Sequence, residues 1–224
     1  MATEVREAIN SSAARVEILR RIRAANGGAA DGARASAQWG EIERSYRQTT
    51  SLSREQILEL LEDRLRDYDA NVVRTAEAEI ASTVARMLSE RGRKKIVIPS
   101  GMSPAWLPQG FDFLVDEGAS HMELDGCEGV MTASTCAIAL TGSIVLQNVP
   151  GQGRRAVSLI PDYHLCLVRV ENVVETVPEA FELLQATSTL STTFFAGPSA
   201  TADIEMTRIK GVHGPRFLDI ILVG

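Results

Sequence analysis

The chain has few cysteines, and their spacing excludes the common metal-binding classes. Cys127, Cys136 and Cys166 are far apart and form no Cys-x-x-Cys pair. Neither an iron–sulfur cluster nor a zinc ribbon can therefore be built from this chain alone. An odd number of cysteines in apolar surroundings is typical of buried thiols rather than of disulfides. We expect this chain to hold no cofactor and no metal.

Long apolar runs, aromatic residues and positive charge are also scarce. No apolar run reaches the roughly 18 residues of a membrane span, and the first residues lack the apolar core of an export signal. With three Tyr, two Trp and a net charge of −6, the chain offers neither a base-stacking surface nor a basic patch. These absences predict a cytoplasmic protein with no membrane span and no nucleic-acid partner.

The motifs of several large enzyme classes are missing as well. No Gly-x-Gly-x-x-Gly follows a strand, and neither a phosphate-binding P-loop nor a Gly-x-Ser-x-Gly motif is present. The sequence therefore gives no support to a dinucleotide-binding, P-loop or α/β-hydrolase function.

The chain divides by composition into residues 1–50 and residues 51–224. The first part carries two thin apolar stripes at helical spacing, which predict an amino-terminal helical arm. They comprise Val5, Ile9, Val16, Leu19 and Ile22, and then Trp39, Ile42 and Tyr46. The second part opens with a helix-capping box, Ser53 and Gln56, and is long enough to bury a substantial core.

The second part alternates strand-like and helix-like segments. Residues 71–74, 95–98 and 113–115 are strand candidates, and helical stretches carry Ile80 to Leu88 and residues 119–124. This alternation predicts an α/β fold with a mostly parallel, Rossmann-like sheet and helices on both faces.

After Gly126 the spacing of the apolar segments becomes shorter. Residues 129–133, 136–139 and 143–146 are separated by hairpin-like turns and predict an antiparallel insert of three strands. Apolar runs at 157–160 and 164–170 and a helix from Pro178 to about Thr189 follow.

Four Ser-, Thr- and Gly-rich loops are candidates for a ligand site. In open α/β sheets, ligands bind beyond the carboxyl ends of the parallel strands, and these loops offer hydrogen-bond donors suited to carboxylate or phosphate. We expect the adjacent Arg154 and Arg155 to close over the bound anion. The four loops are Pro99-Ser-Gly101, Ser134-Thr135, Thr141-Gly142-Ser143 and Gly197-Pro198-Ser199.

The loop at Gly197 follows an apolar β-type run, residues 192–196. Gly197 permits a sharp turn, Pro198 stiffens it, and Ser199 or Thr201 is placed to cap a following helix. A strand, a glycine turn and a helix start together predict an anion site. Asp203 and Glu205 would complement the helix dipole there, or would share one face if the segment is extended.

The three histidines have different settings. His121 lies in an amphipathic stretch and is interpreted as a surface residue, whereas His164 begins an apolar β run. His213 lies between Gly211 and Gly214-Pro215, where an imidazole has room to face a ligand. Because imidazoles suit proton transfer near neutral pH, His213 is the candidate catalytic residue.

The two carboxyl-terminal motifs, Gly197-Pro-Ser-Ala-Thr-Ala-Asp-Ile-Glu205 and Gly211-Val-His-Gly-Pro215, carry a family resemblance. With residues 137–146, residues 158–161 and His164, they make the chain resemble the LUD-domain family, in its lactate-utilization protein C branch. The resemblance covers roughly residues 50 to 224. It implies the fold shared by ribose-phosphate isomerase, glucosamine-phosphate deaminase and CoA transferases.

The resemblance also implies a function and a set of partners. The chain would be a component of a bacterial system that oxidises L-lactate to pyruvate, acting with iron–sulfur partner proteins and binding a small organic anion. The ligand-binding candidates are Thr141, Gly142, Ser143, Arg154, Arg155, His164, Gly197, Pro198, Ser199, Thr201, Asp203 and Glu205.

Two other hypotheses remain open. One is that the chain is a stand-alone enzyme of the isomerase or CoA-transferase type. The other is that it is a regulator or scaffold that senses a small acid. The family usually carries an acidic residue directly before the Thr141-Gly142 pair, and this chain has Leu140 there. That departure counts against the stand-alone enzyme.

Overall fold

The computed structural model describes residues 13–28, 31–201, 209–211 and 214–224, and it divides the chain into two compact units, Met1–Tyr46 and Arg47–Gly224. The first unit contains helices α1, Ala13–Ala25, and α2, Gly32–Glu41. The predicted stripe residues Val5 and Ile9 lie outside the described residues. The predicted continuation of a helix through Ile42 and Tyr46 is wrong, because Ile42 is already extended at φ −64 and ψ 119.

The second unit contains the remaining helices and all the described strands. Its helices are α3 (Arg54–Asp67), α4 (Ile80–Glu90), α5 (His121–Asp125), α6 (Arg155–Leu159) and α7 (Val177–Leu184). Its strands are β1 (Asn71–Thr75), β2 (Lys95–Pro99), β3 (Asp112–Asp116), β4 (Gly129–Thr132), β5 (Cys136–Ile138), β6 (Ser143–Gln147), β7 (Tyr163–Arg169), β8 (Val173–Val174), β9 (Thr192–Phe195), β10 (Ala200–Thr201), β11 (Ile209–Lys210) and β12 (Phe217–Val223).

The main sheet has six strands in the order β1-β12-β7-β4-β2-β3, and every pair in it is parallel. One face packs on α3 through Leu61 and Leu65, and the opposite face packs on α4 through Val84 and Met87. The central strands are buried on both faces, as expected for parallel strands covered by helices. The predicted α/β fold with a mostly parallel sheet is confirmed.

A second sheet of four strands, in the order β8-β5-β6-β9, covers part of the α3 face. The antiparallel pairing of β5 with β6 agrees with the predicted insert, but the assignment of residues 129–133 to it is wrong. Those residues form β4 in the main parallel sheet, where all four of them are buried. Residues 155–159 form the short helix α6 rather than a strand.

Glu175 fixes the start of the second unit to its core. The Glu175 side chain is fully buried and lies 2.6 Å from Arg47 Nη2. Its carboxylate accepts hydrogen bonds from Thr50 Oγ1 at 2.7 Å and from the amides of Ser51 and Leu52 at 2.7 and 3.0 Å. Burial alone would raise the pKa of Glu175, but these donors and the Arg47 charge outweigh it and hold the pKa at about 2.

Ser53, the residue after Leu52, caps the start of α3. Ser53 Oγ accepts from the amide of Gln56, and the Gln56 side chain accepts from the amide of Ser53. The predicted capping box is therefore confirmed. Among the described residues, no helix is both long and apolar enough to cross a membrane.

Candidate functional site

A cavity of about 310 Å³ lies where β7 and β12 begin. It is bounded by α6, by the end of β9 with the loop after it, and by the residues just before β12. Its described lining consists of Arg155, Ser158, His164, Phe195, Ala196, Gly197, Pro198, Ser199, Ala200, Gly214, Pro215 and Leu218.

His164 supplies a buried neutral imidazole to the cavity. It is 3% exposed, and its Nε2 lies 2.8 Å from Thr132 Oγ1 on the neighbouring strand β4. Burial, with a smaller effect from the Arg155 charge, lowers the pKa of His164 to about 3. The ring is therefore uncharged at neutral pH. Among the described residues, Nε2 is the ring nitrogen with a hydrogen-bond partner, and the ring lines the cavity.

Arg155 supplies an exposed guanidinium at the first residue of α6. Its Nη1 donates to Ser158 Oγ at 3.2 Å, one helical turn further on. Within the described part of the chain, no carboxylate lies at ion-pair distance from Arg155. A guanidinium of this kind can bind a carboxylate or a phosphate through two parallel hydrogen bonds.

The wall opposite α6 is the turn that follows β9. The Phe195 ring centroid lies 5.1 Å from that of His164. Gly197 has a φ of +74, and a Cβ at this position would lie 2.9 Å from the Tyr68 carbonyl oxygen at the end of α3. The Ser199 amide then donates to the Pro215 carbonyl at 2.8 Å, which joins the turn to the segment that leads into β12.

The helix predicted to begin at Ser199 is not observed. Ala200 and Thr201 form β10, which pairs antiparallel with β11. The reason is that the Gly197 turn folds the chain back along the segment before β12, so the backbone groups bond across strands. The predicted cap at Thr201 depends on residues 202–208. Those residues lie outside the described structure, as do the candidates Asp203, Glu205 and His213.

Arg154 does not share the setting of Arg155. Its Nε and Nη2 each lie 2.9 Å from an oxygen of Asp116, and Nη2 also donates to the Ala119 carbonyl at 2.5 Å. The Asp116 side chain is 5% exposed, and its ion pair with Arg154 lowers the pKa of the carboxyl group. Neighbouring residues at a helix start point in different directions, so only Arg155 reaches the cavity.

The loop at Thr141, Gly142 and Ser143 also lies outside the cavity lining. It connects β5 to β6, and its hydroxyls bond to each other, Thr141 Oγ1 to Ser143 Oγ at 2.9 Å. Gly142, at φ +61, packs on Arg64, where a Cβ would lie 2.8 Å from the Arg64 Cβ. The loop therefore serves a tight contact between the second sheet and α3.

The loops at the carboxyl ends of β2 and β4 form hydrogen bonds with other parts of the chain. The Gly151 amide donates to the Ser100 carbonyl, and the Gly151 carbonyl accepts from the Ala133 amide, both at 2.8 Å. The Ser134 and Thr135 hydroxyls bond to the Leu167 carbonyl and to Gln152. Of the four predicted loops, the one at Gly197 lines the cavity at Arg155, which lies at the amino edge of the sheet. Another cavity, of about 330 Å³, lies at the carboxyl ends of β2 and β3, where its lining includes Ser100, Asp116 and Arg154.

Five predicted ligand-binding residues do come together in the lining: Arg155, His164, Gly197, Pro198 and Ser199. Sequence reasoning missed Thr132, which holds the His164 ring, because a threonine within a buried strand carries no local signal. Leu218 was also missed, since its position in the lining follows only from the pairing of β12 with β7.

The three cysteines lie in the interior and are free thiols. All three are buried, and burial raises the pKa of Cys136 to about 11 and that of Cys166 to about 12. Within the described ranges, no group of three or more His, Cys, Asp or Glu side chains is placed to hold a metal ion.

The LUD domain model matches residues 2–223. The chain belongs to the LUD-domain family. Lactate utilization protein C of Deinococcus radiodurans is 43% identical over 176 residues, which cover 77% of this chain and 82% of that protein. Lactate utilization protein C of Anoxybacillus flavithermus is 27% identical over 174 residues, which cover 73% of this chain and 78% of that protein.

A solved structure agrees with the fold of this LUD-domain chain. The crystal structure of a DUF162 family protein from Deinococcus radiodurans matches with a TM-score of 0.69 and 40% sequence identity. The match covers 78% of this chain and all of that one.

Proposed function

We propose that this chain is a component of a lactate utilization system and binds a small organic anion in the cavity at Arg155 and His164. The relatives named lactate utilization protein C are similar over most of their length, and they support a role in such a system. The cavity supports the ligand class. The observation that carries the proposal is the Arg155 guanidinium, which has no carboxylate partner among the described residues and lies beside a buried neutral histidine.

The two polar groups match the two ends of a 2-hydroxy acid. Arg155 binds the carboxylate, because its planar fork pairs with both oxygens and its charge offsets theirs. His164 binds the hydroxyl or keto oxygen, because a neutral imidazole is either a donor or an acceptor at Nδ1 according to its tautomer. The Thr132 contact at Nε2 holds the ring in place for that bond.

We further propose that iron–sulfur partner proteins carry the electrons. Oxidation of lactate to pyruvate releases two electrons and two protons, and an acceptor must take the electrons. The thiols of this chain are poorly suited to ligate a cluster, because metal binding needs thiolates and burial raises the pKa of Cys136 and Cys166 well above neutral pH. Binding and orienting the acid is the role that remains for this chain.

Calorimetric titration of the full chain with L-lactate, pyruvate and inorganic phosphate tests the ligand site. We expect one of the two organic acids to bind with a millimolar or lower Kd. Absence of binding by both acids at millimolar concentration would contradict the site, and binding of phosphate alone would point to a phosphorylated ligand instead.

The partner proposal needs a separate measurement. Affinity purification of the tagged chain from cells grown on lactate is expected to recover proteins that contain iron and acid-labile sulfide. Recovery of the chain with no bound iron, under conditions that preserve other complexes of those cells, would count against iron–sulfur partners.

A further inference from the structure

We infer that the cavity is built for a 2-hydroxy or 2-oxo acid whose apolar side chain is larger than the methyl group of lactate. This inference rests on the proposed anion site and concerns the part of the cavity that a carboxylate and a hydroxyl leave unfilled. The chemical class is a branched or aromatic 2-hydroxy acid.

The first argument is the size of the cavity. The cavity has a volume of about 310 Å³, enough for several water molecules. This volume is at the lower end of the roughly 300 to 1,000 Å³ that is typical of sites for larger organic ligands. Lactate, with one methyl group beyond its polar atoms, would leave a large part of the space to water.

The second argument is the separation of polar and apolar groups around His164. The polar wall is α6, with Arg155 and Ser158. The apolar wall comes from β9 and β12, with Phe195 and Leu218. His164 adjoins the apolar wall, because it pairs with Leu218 in the sheet and its ring lies 5.1 Å from that of Phe195, and it lines the same cavity as Arg155.

A ligand held by both Arg155 and His164 therefore directs its remaining atoms toward the apolar wall. Water there forms few hydrogen bonds with Phe195 and Leu218, so an apolar group that displaces it gains affinity. Each buried methylene is expected to improve binding about threefold to fourfold. An aromatic side chain gains further from its contact with the Phe195 ring.

The test is a titration series on the full chain. The ligands are L-lactate, L-2-hydroxybutyrate, L-2-hydroxy-4-methylpentanoate and L-3-phenyllactate. We expect the affinity to rise along the series and to differ at least tenfold between lactate and the largest acids.

Two variants locate the effect in the cavity. Ala196→Leu fills space in the lining and is expected to weaken binding of the larger acids much more than binding of lactate, so that the gain with chain length is lost. Ala186→Leu, at an exposed position outside the lining, is the matched control. Phe195→Leu, which keeps an apolar side chain but removes the ring, is expected to reduce phenyllactate binding more than lactate binding.

The possible failures are distinguishable. If lactate binds as tightly as the larger acids in the unmodified chain, the inference is overturned while the proposed function stands. A gain that survives in both Ala196→Leu and Phe195→Leu would place the larger ligand elsewhere and would also overturn it. If none of the acids binds, the proposed anion site itself is wrong.

Discussion

Thr132 and His164 join β4 to β7 through their side chains, with Thr132 Oγ1 2.8 Å from His164 Nε2. The same hydroxyl lies 3.5 Å from Cys166 Sγ. Because a hydroxyl has one proton, donation to the sulfur would leave Nε2 as the protonated ring nitrogen. Nδ1 would then be the acceptor that a ligand meets.

The buried imidazole makes folding stability depend on pH. The pKa of His164 is about 3 in the folded chain, against an ordinary value of 6.5, so the unfolded chain binds an extra proton between these values. Stability is full above pH 6.5 and falls as the pH drops toward 3, by up to about 1.4 kcal/mol per pH unit. In urea titrations between pH 7 and pH 5, we expect His164→Gln to flatten this dependence. His121→Gln, at an exposed position, is the control.

The adjacent arginines give a matched pair of variants. Arg155→Ala is expected to weaken organic-anion binding at least tenfold with little loss of stability, because in the proposed site its guanidinium pairs with the ligand. Arg154→Ala is expected to lose about 1–3 kcal/mol of stability, because it leaves the Asp116 carboxylate buried without its cation, and to retain ligand affinity. Calorimetry and thermal melts of both variants check the separation. Equal loss of affinity in the two would contradict it.

The turn at Gly197 is expected to tolerate no side chain. A Cβ there must adopt φ +74 and also displace Tyr68, whereas at Gly92, with φ +63, it would meet nothing within 4 Å. Gly92→Ala therefore incurs only backbone strain, about 1 kcal/mol, and Gly197→Ala incurs strain plus a steric clash. We expect the larger fall in unfolding free energy at Gly197. Similar values for the two variants would show that Tyr68 moves aside freely.

Glu175 gives a second pH-dependent contribution, in a more acidic range. Its pKa is about 2 when folded and 4.5 ordinarily, so its stabilisation is present above pH 4.5 and is lost as the pH falls toward 2. Glu175→Gln is expected to cost about 1–3 kcal/mol at neutral pH, since an amide matches the four donors poorly. The exposed Glu182→Gln is the control, and chemical denaturation at pH 7 and pH 4 measures both. Equal stabilities of the two variants at pH 7 would contradict this role.

Two truncations test where the folded unit begins. Removal of residues 1–46 is expected to leave a cooperative melt, because Arg47, Thr50 and the capping Ser53 remain in place. The shortened chain is also expected to associate more weakly with partners, because the thin apolar stripes of the arm suit a docking surface. Removal of residues 1–53 takes away the donors to Glu175 and the cap of α3, and scanning calorimetry should show a clearly lower Tm. Loss of the cooperative melt in the first truncation would show that the arm belongs to the core.

Local patterns predicted the regular elements well. The apolar runs of β1, β2 and β3 and the Ser53 cap carry their structural signal within a few residues. The assignment of β4 to an antiparallel insert failed because its apolar run fits a buried strand of either sheet, and only distant pairing decides between them. That pairing, of β4 with β7, depends on residues more than thirty positions apart in the chain.

The site was predictable only in part, for a similar reason. The sequence does not distinguish Arg154 from Arg155, since the partner of Arg154 is Asp116, 38 residues earlier. Gly197 was a candidate because of its place after an apolar run and His164 because of the family resemblance, and both line the cavity. The carboxyl edge does carry a cavity, of about 330 Å³ at Ser100, Asp116 and Arg154, but the cavity with Arg155 and His164 lies at the amino edge, which the general preference for carboxyl ends does not foresee.

The position of β12 between β1 and β7 has a consequence for synthesis of the protein. β1 is synthesised long before β12. Until residues 217–223 leave the ribosome, β1 and one edge of β7 therefore expose unpaired backbone groups. Sheets that are completed by pairing between strands far apart in the chain fold slowly. Until folding is complete, their unpaired strand edges can pair with other chains. Chaperone dependence during expression is the behaviour that this strand order favours.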